Sequence, residues 1–234
     1  MKIKTFKFLD GAAKAEGLTV IIDVFRAYTT AAYLFANQAE KIFIVSRIET
    51  ARKLKDKVDK AILIGERKGI KIKDFDYNNS PYFISQHNFS GREIILSTSA
   101  GTKGIIAAEK AEEIITGSFV NIRAAAEYII RKDPELVSLV AMGNNGVQDA
   151  AEDNLYAEEL KKILKGKENE LLNEAEIREI LRTPAGDRFF REESQSEMPE
   201  EDFEYSLKIN RFNFVIKADK KEDDVYQLKK EEVG

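Results

Sequence analysis

The apolar run Leu18-Thr-Val-Ile-Ile22, followed by Asp23-Val-Phe-Arg26-Ala-Tyr-Thr-Thr30, is the stretch of this 234-residue chain that most constrains its architecture. The first part is typical of a buried β-strand, and the second carries the polar residues with which a helix begins. A helix N-terminus offers unpaired backbone N–H groups and the positive end of a dipole, so it suits an anion. Asp23 beside such a site suggests a metal ligand or a nucleophile. Two alternatives stay open, in which Asp23 only caps the helix or pairs with Arg26.

Short apolar runs alternate with longer amphipathic ones along the whole chain, which predicts a layered α/β/α fold in one compact unit, 1–234. The predicted strands are Ile3–Phe8, Leu18–Asp23, Lys41–Val45, Ala61–Ile64, Glu93–Thr98, Glu113–Thr116, Leu136–Met142 and Phe212–Lys217. The predicted helices are Thr29–Asn37, Ile48–Asp56, Pro81–Gln86, Thr102–Glu109, Ile122–Lys132, Ala151–Leu164 and Asn173–Leu181.

The sequence also repeats itself at an offset of 72 residues, which sets Ala39-Glu40 on Ala111-Glu112 and Ile22 on Ile94. This repeat predicts an internal duplication with two similar halves, at about 1–90 and 91–217. The alternative is that two βαβ units resemble each other by composition alone. If the duplication is real, loops 23–30 and 97–102 are equivalent and face each other across a cleft.

The character of the chain changes after Gly166, where residues 165–179 are polar and residues 191–204 are strongly acidic. We expect a surface-exposed helical C-terminal appendage there, followed by the return strand Phe212–Lys217. The charged tail, 218–234, is expected to fray, although Val225-Tyr226 could add an edge strand.

Composition excludes several classes of function. The net charge of −4 and the scattered basic residues argue against nucleic-acid binding, and no apolar run is long enough for a membrane span. Cysteine is absent, which removes thiol catalysis and disulfides. The one histidine, His87, is interpreted as a surface or turn residue, so serine triads and histidine-rich metal sites lack their parts. Without an export signal, a cytoplasmic location is expected.

Four further segments carry candidate chemistry. Gly65-Glu66-Arg67 follows a buried strand, where the loops of α/β sheets build binding crevices. Asn78-Asn79-Ser80-Pro81 has the residues with which a helix begins, so a purely structural role explains this segment as well as a functional one does. Ser97-Thr-Ser-Ala-Gly101-Thr102-Lys103 is a plausible anion cradle without the spacing of a Walker A loop. After Gly143-Asn-Asn-Gly146 come Glu152 and Asp153, which offer oxygen ligands for magnesium or simply stabilise a helix dipole.

Taken together and in this order, these segments resemble the 2-phosphosulfolactate phosphatase family, known from the coenzyme M pathway and from many bacterial genomes. The resemblance covers roughly residues 18–164, and more loosely 182–217. The matching stretches are 20–30, 65–67, 75–81, 97–102, Gly117-Ser-Phe-Val-Asn121 and Glu152-Asp153. No single motif is diagnostic, but the ordered set is fairly specific.

The resemblance implies a Mg²⁺-dependent phosphoric monoester hydrolase that acts on a small sulfonated hydroxy acid, converting 2-phospho-3-sulfolactate and water to 3-sulfolactate and phosphate. It implies a small anionic phosphoester as the ligand, with neither nucleic acid nor membrane as partner, and leaves a homodimer open. Carried over by position, the expected catalytic residues are Asp23, Arg26 and Glu66. The expected substrate-binding residues are Arg26, Asn79, Ser80, Gly101, Thr102 and Asn121. The expected metal ligands are Asp23, Glu66, Glu152 and Asp153.

Three departures from the family pattern bear on function. Ala100 stands where the family usually has Asn, Tyr28 stands where it has Thr, and an Asn-rich turn at 144–146 replaces a Gly-rich basic one. These departures support an alternative, a catalytically weakened member that acts as a small-anion-binding or interaction module. An unrelated dinucleotide-binding oxidoreductase is disfavoured, because no Gly-x-Gly-x-x-Gly follows a strand.

Overall fold

A ten-stranded sheet organises the chain in the computed structural model, which describes residues 1–233. Its strands are β1 (Lys2–Lys7), β2 (Gly17–Ile22), β3 (Lys41–Val45), β4 (Ile62–Arg67), β5 (Ile70–Lys71), β6 (Glu93–Ser97), β7 (Ala111–Gly117), β8 (Leu136–Ala141), β9 (Phe214–Glu222) and β10 (Val225–Glu232). They lie side by side in the order β1-β8-β2-β7-β9-β10-β3-β6-β4-β5.

Nine α-helices accompany these strands within the described residues. They are α1 (Phe8–Ala12), α2 (Ala27–Ala36), α3 (Ile48–Lys57), α4 (Pro81–Ser85), α5 (Gly101–Ala107), α6 (Ile122–Lys132), α7 (Ala151–Leu164), α8 (Glu174–Arg182) and α9 (Glu200–Ser206). Single 3₁₀ turns lie at Phe119–Asn121, Glu168–Glu170, Asp187–Phe189 and Glu192–Ser194. No helix among residues 1–233 combines the length and the apolar character that crossing a membrane requires.

Both faces of the sheet are covered, as parallel sheets require. On β2, Ile21 belongs to the same buried cluster as Leu34 of α2. Val20, next to it on the same strand, points to the opposite face and belongs to the cluster that includes Ile129 of α6 and Leu160 of α7. The predicted layered α/β fold is therefore confirmed.

The sheet contains two sets of parallel strands, β1-β8-β2-β7 and β3-β6-β4. The hairpin β9–β10 joins them, with antiparallel pairing between β7 and β9, β9 and β10, and β10 and β3. Since three antiparallel pairings separate β7 from β3, the two sets run in opposite directions. Strands β2 and β6 each occupy the centre of a parallel trio. This order has the symmetry expected from a duplication, but the duplication itself stays a prediction.

The C-terminal part of the chain differs from expectation. The return strand begins two residues later than predicted and continues to Glu222, and the tail forms β10 in the interior of the sheet instead of fraying. Only residues 225–228 of β10 pair with β3, and of these Val225, Tyr226 and Leu228 are buried. Their apolar surface explains why this end of the strand lies inside. Gly234 of the predicted tail lies outside the described residues.

The expected surface appendage is not confirmed. The segment after α7 is helical, as α8 and α9 show, but it packs into the core through Leu181, Phe189 and Phe203, which are 0–2% exposed. Phe189 and Phe203 also contact the ring of Phe25, which follows β2. The segment therefore forms one wall of the site described next.

Candidate functional site

Loops from both parallel sets converge on one pocket with a volume of about 310 Å³. The loops after β2, β4, β6 and β8 contribute to it, as does the segment after α8. The residues that line it are Asp23, Phe25, Arg26, Glu66, Lys68, Gly69, Asn79, Ser99, Ala100, Gly143, Asn144, Asn145, Gln148, Arg188 and Met198. Four of the residues predicted from the sequence, Asp23, Arg26, Glu66 and Asn79, are thus brought together.

Asp23 links the loop after β2 to the loop after β6, the two loops that the predicted duplication would make equivalent. Its Oδ2 accepts a hydrogen bond from the backbone N–H of Gly101 at 2.7 Å, and its Oδ1 lies 3.3 Å from the backbone nitrogen of Ala27 in the first turn of α2. The phenol of Tyr28 donates to the Gly101 carbonyl at 2.7 Å. A Cβ atom on Gly101 would lie 2.8 Å from Asp23 Oδ2 and 3.1 Å from the Tyr28 ring, so this approach requires glycine.

Glu66 plays the corresponding part at the end of β4. Its Oε1 accepts from the backbone N–H of Ser99 at 2.7 Å. Its Oε2 accepts from the Ser99 hydroxyl at 3.0 Å and from the backbone N–H of Gly69 at 2.7 Å. These bonds tie the loop after β4 to the loop after β6 and fix the carboxylate against the pocket.

Burial raises the pKa of Asp23 from 3.8 to about 6, with further contributions from the negative charges of Glu66 and Glu152. The hydrogen bonds from Ala27 and Gly101 act in the opposite direction. Burial also raises the pKa of Tyr28 well above its ordinary value, so its hydroxyl stays a donor. When Asp23 is ionised, its negative charge lies close to those of Glu66 and Glu152, and no cation among the described residues pairs with it directly.

Glu152 and Asp153 lie behind the pocket wall. Asp153 accepts the backbone N–H groups of Val24 at 2.9 Å and Gly143 at 2.8 Å, and so joins the loops after β2 and β8. Burial raises its pKa well above the ordinary value, reinforced by Glu152 and Asp23. Glu152 is 3% exposed and accepts from the guanidinium of Arg188 at 3.0 Å. Neither lines the pocket, so a ligand role for these two stays a prediction without support from their contacts.

Arg26 lines the pocket but is already engaged. Its Nη1 donates to Asp202 Oδ2 at 2.8 Å and to the Glu197 carbonyl at 2.7 Å, and its Nη2 lies 3.2 Å from the Gly69 carbonyl. Asp202 is 0% exposed. The alternative that Arg26 pairs with Asp23 is therefore wrong, because its ion-pair partner is Asp202 on α9. These contacts anchor the segment after α8 over the pocket.

Gly101 does not line the pocket and its N–H is taken by Asp23, and the other predicted substrate-binding residues separate into two groups. Asn79 lines the pocket, and its buried Oδ1 has no hydrogen-bond partner among the described residues. Ser80, Thr102 and Asn121 lie outside the lining and are at most 1% exposed. The Ser80 hydroxyl donates to Asp202 Oδ1 at 2.5 Å, Thr102 bonds within its own turn, and Asn121 Nδ2 donates to the Phe214 carbonyl at 2.9 Å. His87 is exposed in the turn after α4, as interpreted from the sequence.

The sequence alone did not identify Lys68 and Arg188. Lys68 is exposed at the pocket and directly follows the predicted Gly65-Glu66-Arg67 segment. The next residue, Gly69, is a sequence signal for a turn at this position. Arg188 precedes Phe189-Phe190, an aromatic pair in a polar stretch that indicates local burial. No motif marked either residue.

The pocket fits a magnesium ion that is held by fewer protein ligands than the sequence predicts. Among residues 1–233, no group of three or more Asp, Glu, His or Cys side chains is arranged to hold a metal ion. Mg²⁺, however, often binds through one or two carboxylates and completes its shell with waters and substrate phosphate oxygens. A carboxylate has about four acceptor positions, so hydrogen bonding leaves two on Asp23 and one on Glu66.

Comparison with known proteins gives a consistent result. The model of the 2-phosphosulpholactate phosphatase family matches residues 5–221. A Carboxydothermus hydrogenoformans protein named "Probable 2-phosphosulfolactate phosphatase" is 41% identical over 138 residues, which make up 58% of this chain and 57% of that protein. A Caldicellulosiruptor saccharolyticus protein of the same name is 34% identical over 150 residues, 61% of this chain and 62% of that protein.

For these two relatives the match spans less than two thirds of their length. A Bacillus subtilis protein of the same name is 30% identical over 203 residues, which are 86% of each chain. The family model covers nearly the whole of the described chain, and the loops that form the pocket all lie inside the matched range. The chain belongs to the 2-phosphosulpholactate phosphatase family.

Proposed function

We propose that this protein is a Mg²⁺-dependent phosphatase that hydrolyses 2-phospho-3-sulfolactate to 3-sulfolactate and phosphate. Its family and the names of its relatives support the choice of substrate. The observation that carries the proposal is that Asp23 and Glu66, with acceptor positions still free, share one pocket with the cations Lys68 and Arg188. Such a pocket accommodates a small anion together with a divalent cation.

The proposed roles follow from the contacts. Asp23 and Glu66 would hold Mg²⁺, which supplies charge neutralisation at the phosphate and lowers the pKa of a bound water. The Lys68 ammonium is a mobile point charge at the rim and suits phosphate oxygens. The side-chain oxygen of Asn79 has no partner among the described residues and is free to accept a hydrogen bond from the ligand or from a bound water. Arg26 holds the segment over the pocket and binds substrate only through the edge that Asp202 leaves free.

The reaction needs an oxygen nucleophile at phosphorus and a proton for the leaving alcohol. Water supplies both overall: its oxygen forms the new P–O bond, the ester P–O bond breaks, and the sulfolactate oxygen takes a proton. Asp23 acts either by holding the cation or by attacking phosphorus itself, which would give an aspartyl-phosphate that water then hydrolyses. In both versions the Gly101 N–H orients the carboxylate of Asp23.

The test is phosphate release from 2-phosphosulfolactate by the purified protein, with Mg²⁺ and with EDTA. We expect Mg²⁺-dependent turnover, its loss in Asp23→Asn, and unchanged turnover in Asp59→Asn, which alters an exposed carboxylate. Mass spectrometry of acid-quenched protein distinguishes the versions, since only the nucleophilic one gives a phosphorylated peptide containing Asp23. Absence of Mg²⁺-dependent release from any small phosphoester would favour the anion-binding alternative.

A further inference from the structure

We propose that Arg188 binds the non-reacting anionic end of the substrate, its sulfonate or carboxylate, and thereby selects for phosphoesters that carry a second anionic group. This inference rests on the proposed function for the identity of the substrate. It depends on three observations about the Arg188 side chain: its donors, its orientation and the charges around it.

The guanidinium of Arg188 has donors to spare. Its Nη1 donates to Asn144 Oδ1 at 2.6 Å, and its Nη2 donates to Glu152 Oε1 at 3.0 Å and lies 3.4 Å from the Phe25 carbonyl. A guanidinium has five N–H groups, so three bonds leave two unused. One of these is the Nε–H group, which is buried and has no partner among the described residues. The other is the second N–H of Nη1, the nitrogen that contacts Asn144, which also lines the pocket; it is the donor available to a ligand there, while the unpartnered Nε–H leaves the guanidinium with a hydrogen-bond deficit that a ligand-induced adjustment could relieve.

The side chain is also held in place before any ligand arrives. Glu152, 3% exposed, anchors one arm of the guanidinium, and Asn144 on the turn after β8 anchors another. The rings of Phe25 and Phe189 lie 5.8 and 5.2 Å from its central carbon. Because its rotamer is already fixed, little side-chain entropy is lost when it binds an anion. Glu152 thus acts as a positioning residue for Arg188.

The remaining pocket cations have other tasks. Arg26 is paired with the fully buried Asp202. Lys68 is exposed and, among residues 1–233, takes part in none of the ion pairs, which suits the phosphate that must enter and leave. Arg188 is the remaining cation of the lining; it also pairs with a carboxylate, that of Glu152, but its side chain is 27% exposed, whereas that of Arg26 is 4% exposed. It is therefore the cation available for a second anionic group.

Binding measured without turnover tests this assignment. The probes are 3-sulfolactate, which has no phosphate, and inorganic phosphate, each titrated calorimetrically into the wild type and into Arg188→Gln. We expect Arg188→Gln to weaken 3-sulfolactate binding by about 10- to 100-fold, the range for charged hydrogen bonds, and phosphate binding by less than about 3-fold. Arg191→Gln, which changes an exposed arginine three residues along, is the matched control and should leave both unchanged.

Arg188→Lys is the second variant, and it keeps a positive charge to pair with Glu152. It therefore tests the assignment even if Arg188→Gln fails to fold. Because an ammonium lacks the planar fork of donors, we still expect weaker 3-sulfolactate binding, by about 3- to 10-fold. Equal losses for both probes would overturn the assignment, as would unchanged 3-sulfolactate binding in both Arg188 variants or no binding of 3-sulfolactate to the wild type. Arg188-dependent binding without phosphate release would refute only the hydrolase proposal, and Mg²⁺-dependent release without Arg188-dependent binding would refute only the subsite.

Discussion

Replacing Asp23 by asparagine should stabilise the protein at neutral pH while abolishing the proposed activity. In the folded chain Asp23 titrates near pH 6 instead of 3.8, mainly because burial disfavours its charged form. The difference corresponds to about 3 kcal/mol, at about 1.4 kcal/mol for each pKa unit. Since the folded pKa is raised, the protonated acid carries no penalty at pH 4, and stability is lost as the pH rises from about 4 to about 6.

The side-chain amide introduced by Asp23→Asn cannot ionise and so escapes this loss. Its oxygen can still accept from the Gly101 N–H, but its NH₂ group would then face the Ala27 nitrogen, where Asp23 offers an acceptor at 3.3 Å. That mismatch costs about 1 kcal/mol at every pH. We therefore expect Asp23→Asn to be about 1 kcal/mol less stable than the wild type at pH 4 and about 2 kcal/mol more stable at pH 7.5.

Urea denaturation followed by circular dichroism, in metal-free buffer at both pH values, measures this difference. Asp59→Asn should follow the wild type, because Asp59 is exposed. A stability difference between Asp23→Asn and the wild type that is the same at pH 4 and pH 7.5 would refute the argument that burial strains the ionised carboxylate. Added Mg²⁺ should raise the free energy of unfolding of the wild type at pH 7.5 and leave that of Asp23→Asn unchanged.

Three further substitutions test the framework of the pocket. Gly101→Ala should destabilise the protein by about 1–3 kcal/mol and abolish turnover, because its Cβ would press on Asp23; thermal denaturation and phosphate release measure the two effects. Asp202→Ala should cost about 3–5 kcal/mol in urea denaturation, since it leaves Arg26 buried without its partner, whereas a loss below about 1 kcal/mol would contradict that role. Asp153→Asn should cost about 1–3 kcal/mol at pH 4, because one of two backbone N–H donors loses its acceptor, and less at neutral pH, because the burial that raises the Asp153 pKa disfavours the ionised carboxylate of the wild type; hydrogen exchange should quicken at Val24 or Gly143.

Local patterns were sufficient for most of the architecture. Helices Ile122–Lys132 and Ala151–Leu164 and strand Lys41–Val45 have the predicted bounds, since each has a clear period and clear ends. Strand β10 was not predicted in the sheet interior, because its charged half, residues 229–232, pairs only with β9 while its apolar half is short. Local composition does not report how many neighbours a strand has.

The site was predictable to the extent that its residues follow strands. Asp23 directly follows β2, Glu66 is the penultimate residue of β4, and both reach the pocket as expected. Ser80 and Asn121 are predicted to bind substrate only because of the family resemblance. In the structure their side chains donate instead to Asp202 and to the Phe214 carbonyl, partners more than 90 positions away in sequence. Arg188 was missed for the same reason, since only the tertiary fold brings it beside Glu152. The Mg²⁺ requirement, the homodimer and the cytoplasmic location stay predictions.

The hairpin β9–β10 has a consequence for how the molecule is made. It is the only bridge between the two parallel sets in the described sheet, and it comes from residues 214–232, after every loop of the pocket. During synthesis on the ribosome, contacts such as the Asp23–Gly101 and Tyr28–Gly101 hydrogen bonds can join the two sets locally, but strand pairing cannot hold them in one sheet until this hairpin emerges. Ligand affinity should therefore appear late and abruptly in a nascent chain, long after most of its secondary structure has formed.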